Sequence, residues 1–377
     1  MRAKRGSISG IMSFTFDRLE KAYESGRISR RHLLLSLSAL MTPRRMLAQA
    51  GNPPIRVRGI NHVTLSVSDV KRSVDFYQGL FGMPVTSRQG MTTNLQIGAG
   101  PQFLGVSAAG SNPPSINHLC LGVDGFNVAR ITAILAQRGF TKSDAAGNAG
   151  GGGPGGGPMR MRVRMRGPEA GGDRAGTPEL YFSDPDGIVV QLQDPRYCGG
   201  GGPFGHVCSL PEPAAKKGLL AVRDWSHCTN SVSDPARSNT FYQELFGLRI
   251  QAHQGPTAPV LSVGGGVQFL MFAGAGGQAA ANAAPRPAGI NHLCMSMDRF
   301  SPDTVIKALE SYGIKPRAGA QGTPGPLVHY ISMRMENRGG AREGTPELYF
   351  TDPDGLLIQL QDVRYCGGAG VLGDVCS

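Results

Sequence analysis

Two long stretches of the chain are nearly identical. GTPELYFSDPDGIVVQLQDPRYCGG runs from Gly176 to Gly200, and GTPELYFTDPDGLLIQLQDVRYCGG runs from Gly344 to Gly368. Shorter matches precede both in the same order: INHVTLSVSD at 60–69 pairs with WSHCTNSVSD at 225–234, and INHLCLGVD at 116–124 pairs with INHLCMSMD at 290–298. Self-similarity on this scale indicates a duplicated domain. We therefore predict two similar domains, and we expect any functional site to occur twice.

A finer repeat lies inside each copy. A histidine near the start of an apolar, strand-like segment occurs twice per copy, at His62 and His118 and then at His227 and His292. Each copy is therefore predicted to consist of two smaller units.

The first fifty residues differ in kind from the rest. Arg30 and Arg31 open an apolar run that ends at Met41, and small residues at Ala48 and Ala50 suit a cleavage site. This pattern is typical of a twin-arginine export signal over residues 1–50. The alternative is an amphipathic helix that stays attached, but the apolar run is too short to span a bilayer. We expect a periplasmic or secreted protein with no membrane contact after signal removal.

The net charge of +11 belongs mostly to this segment, because residues 1–50 hold 10 Lys and Arg but only 3 Asp and Glu. A nucleic-acid partner is not indicated for the remainder, so a small-molecule substrate is the expected partner. The oligomeric state is left open by the sequence.

The cysteines also follow the duplication. Cys198 and Cys208 are spaced like Cys366 and Cys376, in each case across a glycine-rich loop. In an oxidising compartment each pair predicts a local disulfide. Two metal-binding tails are the weaker alternative, because no further Cys or His is matched beside them. Cys120 and Cys294 are interpreted as small buried residues, and Cys228 has no matched counterpart.

Helix and strand signals recur in order. Asp69 and Asp234 are expected to cap helices that end at Gly82 and Gly247. In the first copy, strands are expected at 91–97 and 102–106, then at 116–123 and 159–166, with a helix at 128–139. A hairpin of 179–182 and 188–193 is expected around the DPDG turn at 184–187. The glycine-rich inserts 147–158 and 274–289 are expected to form mobile loops, and 199–221 to link the copies.

These motifs resemble those of the vicinal oxygen chelate superfamily, which contains glyoxalase I, bleomycin- and fosfomycin-resistance proteins and extradiol dioxygenases. The most specific signs are the helix ends FYQGLFG and FYQELFG and the two DPDG hairpins. The resemblance covers domains at 55–198 and 222–366 and leaves a Cys-containing tail at 367–377. It implies an α+β fold, with two βαβββ modules per domain forming a curved mixed sheet around a cleft.

The resemblance also implies a metal site in each domain. The positions that correspond to the family's ligands are His62, Leu104, His118 and Gln191, then His227, Leu270, His292 and Gln359. Two histidines and one side-chain oxygen resemble the iron and manganese dioxygenases, whereas glyoxalase I uses all four positions. Fe2+ is the favoured divalent metal, with Mn2+ or Zn2+ as alternatives.

Glutamine in place of the family's glutamate supplies no negative charge, so we expect weaker metal binding. The alternative is that the histidines are hydrogen-bonded core groups. Their recurrence at four equivalent positions argues against that role.

Tyr181 and Tyr349 occupy the position of an extradiol active-site tyrosine, whose hydroxyl can hydrogen-bond a substrate oxygen. A buried structural tyrosine is the alternative. The family's acid/base histidine is replaced by Gly172 and Gly340, which argues against ordinary catechol cleavage.

Charged side chains lie nearby. Arg160, Arg162, Arg164 and Arg166 alternate along one strand and are interpreted as a solvated edge face, except that Arg166 and its counterpart Arg334 are candidates for meeting an acidic substrate. Glu179 and Glu347 are candidate bases or carboxylate ligands, but pairing with an arginine is the safer interpretation.

Together these features predict an exported, divalent-metal-dependent enzyme, dioxygenase-like, acting on a small substrate with vicinal oxygens. A glyoxalase-like lyase or isomerase and a non-enzymatic binder of the bleomycin-resistance type are the alternatives.

Overall fold

A computed structural model describes residues 53–146, 153–256, 258–274, 287–319 and 322–377. The predicted export signal lies outside these ranges, as do residues 147–152 and 275–286 of the two inserts that we expected to be mobile.

The first copy forms one nine-stranded mixed sheet with two helices. Its elements are β1 Val57–Val67, α1 Val70–Phe81, β2 Val85–Gln89, β3 Thr92–Gln96, β4 Phe103–Ala108, β5 Ser115–Val123, α2 Val128–Gln137, β6 Thr141–Lys142, β7 Arg160–Arg166, β8 Thr177–Ser183 and β9 Val189–Gln193. A short 3-10 helix, Pro168–Ala170, follows β7. The strand order across the sheet is β2-β3-β4-β1-β5-β9-β8-β7-β6.

The second copy repeats this arrangement element by element. Its elements are β10 Asp224–Val232, α3 Pro235–Phe246, β11 Ile250–His253, β12 Pro259–Ser262, β13 Phe269–Gly274, β14 Gly289–Met297, α4 Pro302–Ser311, β15 Lys315–Pro316, β16 Val328–Arg334, β17 Thr345–Thr351 and β18 Leu357–Asp362. A 3-10 helix, Glu336–Arg338, follows β16. The order β11-β12-β13-β10-β14-β18-β17-β16-β15 is that of the first sheet. The predicted α+β fold with two βαβββ modules per copy is confirmed.

The two modules of a copy meet at the centre of its sheet. β1 pairs antiparallel with β5, and each also pairs in parallel with the last strand of its own module, β4 or β9. Residues 60–67 of β1 are all buried, as expected for a central strand covered on both faces. The first histidine of each module therefore lies on one of two neighbouring central strands.

The helix signals are confirmed by the capping contacts. The Asp69 side chain accepts a hydrogen bond from the backbone N–H of Arg72, and Gly82 ends α1 with φ of 67°. Asp234 and Gly247 do the same for α3. β2 and its counterpart β11 were not located from the sequence.

The two copies contact each other reciprocally through their DPDG turns. Tyr77 of α1 donates its hydroxyl hydrogen to Asp352 at 3.1 Å, and Tyr242 of α3 donates to Asp184 at 3.2 Å. Arg237 forms an ion pair with Asp186 at 2.9 Å. The turn motif that identified the family thus also holds the duplicated domains together.

Both predicted disulfides are present, Cys198–Cys208 and Cys366–Cys376, whereas Cys120, Cys228 and Cys294 are free and buried. The bridges indicate an oxidising environment. Within the described ranges, no helix has the length and apolar character needed to cross a bilayer.

Candidate metal centres

Three buried polar atoms converge in the first sheet. The Nε2 atoms of His62 and His118 lie 3.3 Å apart, and the Oε1 atom of Gln191 lies 3.0 Å from the first and 3.1 Å from the second. Each of the three residues is at most 4% exposed. Donor atoms bound to one cation at about 2.1 Å and at right angles are about 3 Å apart, so the triangle has the size of one face of a coordination shell.

Neighbouring asparagines fix the tautomers of these histidines. Asn61 donates its amide hydrogen to the Tyr197 carbonyl, which leaves its Oδ1 atom to accept from the Nδ1–H of His62 at 2.8 Å. Asn117 donates to Ser66 in the same way and accepts from His118 Nδ1 at 2.8 Å. With Nδ1 protonated, the neutral imidazoles point unprotonated Nε2 atoms toward the Gln191 oxygen.

The centre therefore brings together three acceptors without a hydrogen between them. Burial lowers the pKa of His62 well below its usual range, with His118 lowering it further, and burial lowers the pKa of His118 to about 4. Because both pKa values are low, neither histidine should take up a proton at neutral pH to remove the repulsion between these lone pairs. A divalent cation fits the set, because imidazole nitrogen and amide oxygen are suitable ligands for such ions.

The second centre has a similar arrangement. The Nε2 atom of His227 lies 3.0 Å from the Oε1 atom of Gln359. The rings of His227 and His292 are 5.4 Å apart at 82°, against 5.4 Å and 83° in the first centre. The His292 Nε2 atom is buried without a hydrogen-bond partner. One difference is that Ser226, 3.1 Å from His227 Nδ1, stands where the other histidines have an asparagine.

Within the described residues, no group of three or more His, Cys, Asp and Glu side chains is placed to hold a metal ion. Each candidate centre instead completes two histidines with a glutamine amide. The sequence-predicted ligand sets are brought together in both copies.

The fourth ligand position differs from the one inferred by resemblance. Leu104 packs in the hydrophobic core on the opposite side of the sheet, and Phe103 lies beside the centre with its ring stacked 4.3 Å from that of His62. Phe269 stacks on His227 in the same way, at 4.2 Å. Neither leucine nor phenylalanine offers a metal-binding atom, so each centre keeps three candidate ligands.

A buried ion-pair network adjoins the first centre. Glu179 accepts hydrogen bonds from Arg166 Nε at 2.7 Å, from the Tyr197 hydroxyl at 2.7 Å and from the Tyr181 hydroxyl at 3.2 Å. Tyr181 meets the His118 ring edge-on, and Tyr197 stacks on His62. The counterparts are Arg334, Glu347, Tyr365 and Tyr349. Tyr197 and Tyr365 were not singled out from the sequence, although both lie in the repeated RYCGG segment.

These contacts show the partners of three charged residues that the sequence analysis had singled out. Glu179 pairs with an arginine, as the safer interpretation held. The expectation that Arg166 and Arg334 meet an acidic substrate is wrong, because their side chains are fully buried and bind Glu179 and Glu347. Their remaining hydrogen bonds go to backbone carbonyls.

The alternating arginines of β7 lie on the face of the sheet that carries the candidate centre. β7 pairs with β8 so that Arg162 lies opposite Tyr181 and Arg164 lies opposite Glu179. Directly opposed residues share a face of the sheet, so these arginines lie on the face that carries the candidate centre. Val163 and Met165, on the other face of β7, are the exposed side chains.

The glycines that replace the family's acid/base histidine cannot accept a side chain without a backbone shift. A Cβ atom at Gly172 would lie 1.9 Å from the Arg166 carbonyl oxygen, and one at Gly340 would lie 1.8 Å from that of Arg334. The backbone at these two positions therefore leaves no room for a histidine side chain.

The fold and the paired His-His-Gln centres define a duplicated protein of glyoxalase and dioxygenase type. The sequence model of the Glyoxalase/Bleomycin resistance protein/Dioxygenase superfamily matches residues 59–152 and 225–360. The chain belongs to this superfamily. No curated protein matches it in sequence.

Several solved structures share the fold at low identity. Homoprotocatechuate 2,3-dioxygenase from Brevibacterium fuscum, in complex with 3,4-dihydroxyphenylacetate, is 17% identical with a TM-score of 0.54, covering 83% of this chain and 83% of its own. The Mn(II)-bound glyoxalase from Novosphingobium aromaticivorans is 15% identical with a TM-score of 0.51, covering 81% and 82%. A catechol 2,3-dioxygenase is 14% identical with a TM-score of 0.52, covering 84% and 93%.

Proposed function

We propose that the protein is an exported, divalent-metal-dependent enzyme that acts on a small substrate with two neighbouring oxygens, in a dioxygenase-like reaction. The single observation that carries this proposal is the convergence of two imidazole nitrogens and an amide oxygen at 3.0–3.3 Å in a buried position. Opposed lone pairs without a cation would be costly in such a place.

Each metal would be held by its own copy. His62, His118 and Gln191 are the ligands of the first centre, and His227, His292 and Gln359 those of the second. When bound, Fe2+ would act as a Lewis acid toward the two substrate oxygens and supply electrons to dioxygen, whereas Mn2+ or Zn2+ are the alternative ions. Two nitrogens and one oxygen leave positions free for substrate.

Tyr181 and Tyr349 are the proposed substrate hydrogen-bond donors. Burial raises the pKa of both phenols well above the usual range, with Glu179 or Glu347 raising it further. Each hydroxyl therefore stays protonated at neutral pH and can turn its hydrogen from the glutamate to a substrate oxygen. Because Gly172 and Gly340 exclude the usual histidine, a catechol should still present two neighbouring oxygens to the metal, but its cleavage should be slower than in an enzyme that has this base.

The first alternative is a glyoxalase-like lyase or isomerase, which would use the same metal without consuming oxygen. The second is a binding protein without metal. Turning over the Gln191 amide, whose Nε2 atom is buried without a partner, would let its two hydrogens reach both imidazoles. Binding of a compound by such a protein would not change on chelation.

Export is the remaining part of the proposal. The two disulfides support an oxidising compartment, and the arginine pair with its short apolar run fits a twin-arginine signal over residues 1–50. Mature domains at 55–198 and 222–366, linked by 199–221 and followed by the tail 367–377, would then be periplasmic or secreted.

The test is oxygen uptake by Fe2+-loaded protein supplied with catechol, 4-methylcatechol and 3,4-dihydroxyphenylacetate in turn. Uptake matched to substrate loss, abolished by His62→Ala with His227→Ala and reduced by Tyr181→Phe with Tyr349→Phe, supports the dioxygenase-like reaction. Substrate conversion without oxygen uptake supports the lyase or isomerase. Binding that survives chelation, with no conversion, supports the binder.

A further inference from the structure

Each copy ends in a glycine-rich loop that a disulfide closes. Residues 198–208 form the first disulfide loop, and residues 366–376 form the second. In both, the buried arginine of the ion-pair network donates a hydrogen bond to a loop carbonyl, that of Gly200 at 2.8 Å in the first copy and that of Gly368 at 2.9 Å in the second. The two loops are therefore docked alike beside the candidate centres.

Tyr197 immediately precedes the first disulfide loop and contacts the first centre in two ways. Its ring stacks on that of His62 at 5.6 Å, and its backbone carbonyl accepts a hydrogen bond from Asn61 Nδ2 at 2.9 Å. The Oδ1 atom of Asn61 in turn lies 2.8 Å from His62 Nδ1. One backbone carbonyl thus decides which end of the Asn61 amide faces the histidine.

The orientation of that amide controls the position of the histidine proton. If the Asn61 amide turned over, its oxygen would face the Tyr197 carbonyl oxygen, and its NH2 group would donate to His62 Nδ1. The proton of His62 would then lie on Nε2 and point at the Gln191 oxygen, 3.0 Å away. Because a protonated Nε2 cannot bind a cation, this arrangement competes with metal binding. The Tyr197 carbonyl disfavours it, since a buried acceptor would lose its hydrogen bond.

The second centre lacks this link. The Tyr365 ring lies 5.6 Å from that of His227, so the aromatic contact is retained. Ser226 stands in the place of Asn61, 3.1 Å from His227 Nδ1. Among the residues that the structure describes, its side chain makes no bond to the Tyr365 carbonyl. The second disulfide loop therefore has no contact through which to set the tautomer of its histidine.

The disulfide limits the freedom of the backbone that carries Tyr197. Four consecutive glycines, 199–202, follow Cys198, and Gly199 has a φ of 80°. Glycine has more accessible conformations than any other residue, and a cross-link that closes such a segment removes many of them. Without the disulfide, the Tyr197 carbonyl should be held less firmly against Asn61.

We propose that Tyr197 is a positioning residue of the first centre, and that the Cys198–Cys208 disulfide raises metal affinity there by holding the Tyr197 carbonyl against Asn61. The inference rests on the proposed function, because it concerns a metal bound by His62. Groups that orient a ligand from outside the coordination shell contribute to metal affinity. The two centres should therefore differ in their dependence on an intact disulfide.

Chelator competition for Zn2+ tests this link in proteins with one intact centre, His227→Ala for the first and His62→Ala for the second. Replacing both cysteines of the first disulfide loop with serine should weaken zinc binding at the first centre by about tenfold. The same change in the second disulfide loop is the matched control and should leave zinc binding at the second centre nearly unchanged. Equal losses at the two centres, or no loss at the first, overturn the inference.

A double-mutant cycle separates the link from a general loss of stability. Asn61→Ser gives the first centre the residue of the second, so removing the first disulfide should then have little further effect on zinc affinity. If the two effects add, the inference is wrong. Should the serine variant fail to fold, Ser87→Ala replaces it in the cycle, because it keeps the disulfide and removes the 2.7 Å hydrogen bond to the Cys198 carbonyl.

A measurement on metal-free protein distinguishes failure of this link from failure of the proposed function. Nitrogen-15 NMR of the imidazoles reports which nitrogen carries the proton. Removing the first disulfide should shift the His62 proton toward Nε2, whereas His118, whose Nδ1 atom lies 2.8 Å from Asn117, should keep its proton on Nδ1. If no variant binds zinc but this shift occurs, the metal enzyme is wrong and the link stands. If zinc binds and the tautomer does not change, the link alone is wrong, and if neither occurs both are wrong.

Discussion

The Nδ1 atom of His62 lies 2.8 Å from the Oδ1 atom of Asn61, the residue that precedes it. Because Asn61 also donates to the Tyr197 carbonyl, its oxygen is fixed as the acceptor and the histidine must present an unprotonated Nε2. The partner atom that sets the tautomer of a metal-binding histidine contributes to metal affinity. In the second centre Ser226 takes this position, so the two centres are similar but not equivalent.

Replacing Asn61 with Ala should weaken metal binding at the first centre by about 10- to 100-fold, because His62 loses the group that orients its ring. Competition against a chelator in the His227→Ala background measures this affinity. Asn61→Asp keeps an acceptor at the same place and should bind metal nearly as tightly as the parent. Equal affinities for the Ala variant and the parent would show that Asn61 has no such role.

Gln191→Glu should raise the metal affinity of the first centre by about tenfold, since a carboxylate adds a negative charge to a set that lacks one. The metal-free variant should be less stable than the parent, because it buries an unpaired charge. Gln359→Glu should behave alike in the second centre. Metal titration with thermal melts before and after loading checks both effects, and an affinity that does not rise contradicts the proposed ligand role.

Glu179→Ala should destabilise the protein by about 3–5 kcal/mol, because it leaves the guanidinium of Arg166 buried without its partner. The double variant Arg166→Met with Glu179→Leu should cost less, since no buried charge remains. Urea unfolding provides the free energies. If the double variant were as unstable as the single one, the cost would come from lost packing rather than from an uncompensated charge.

Two buried aspartates at the contact between the copies should contribute more stability at acidic pH than at neutral pH. Burial raises the pKa of Asp184 and of Asp352 from 3.8 to about 6. Between these pH values the two aspartates hold protons in the folded state that they lose in the unfolded chain, so their contribution to the free energy of unfolding falls as pH rises from about 4 to about 6. Each aspartate contributes about 3 kcal/mol at most. The buried histidines, whose pKa values are lowered, contribute with the opposite sign.

Asp184→Asn with Asp352→Asn should remove this contribution, because the amide cannot ionise but keeps an oxygen for the turn's backbone N–H groups. From pH 4.5 to pH 7, the free energy of unfolding of the double variant should therefore rise more, or fall less, than that of the parent. Urea midpoints at pH 4.5 and pH 7 measure the slope. Asp298→Asn, at an exposed ion pair with Arg223, is the matched control. The same pH dependence in the double variant and in the parent would show that these two aspartates make no such contribution.

The duplication, the helix ends and the residues that meet in the two candidate centres could be predicted from the sequence because each leaves a local pattern. Asp69 before an apolar run and Gly82 after it specify a helix, and four histidines recur at matched positions. The strand pairings are less accessible, because β2 is short and its partners depend on distant segments. The choice between Phe103 and Leu104 depends on a one-residue register, which moves a side chain to the other face of the sheet.

The face on which the arginines of β7 lie could also not be predicted from the sequence. The alternation of Arg162 and Arg164 with Val163 correctly predicts that the arginines share a face. It does not say which face is the inner one, because both exposed and cleft-lining faces tolerate charge. Only the pairing of Arg162 with Tyr181 on the next strand places the arginines beside the candidate centre.

Elemental analysis of the purified protein tests the central claim most directly. We predict about two equivalents of iron, manganese or zinc per chain, about one after His62→Ala and none after His62→Ala with His227→Ala, because metal ligands are hard to replace. His253→Ala, at an exposed histidine outside both centres, should leave the content unchanged. Metal-free protein that neither binds an added divalent ion nor changes in stability would contradict the account.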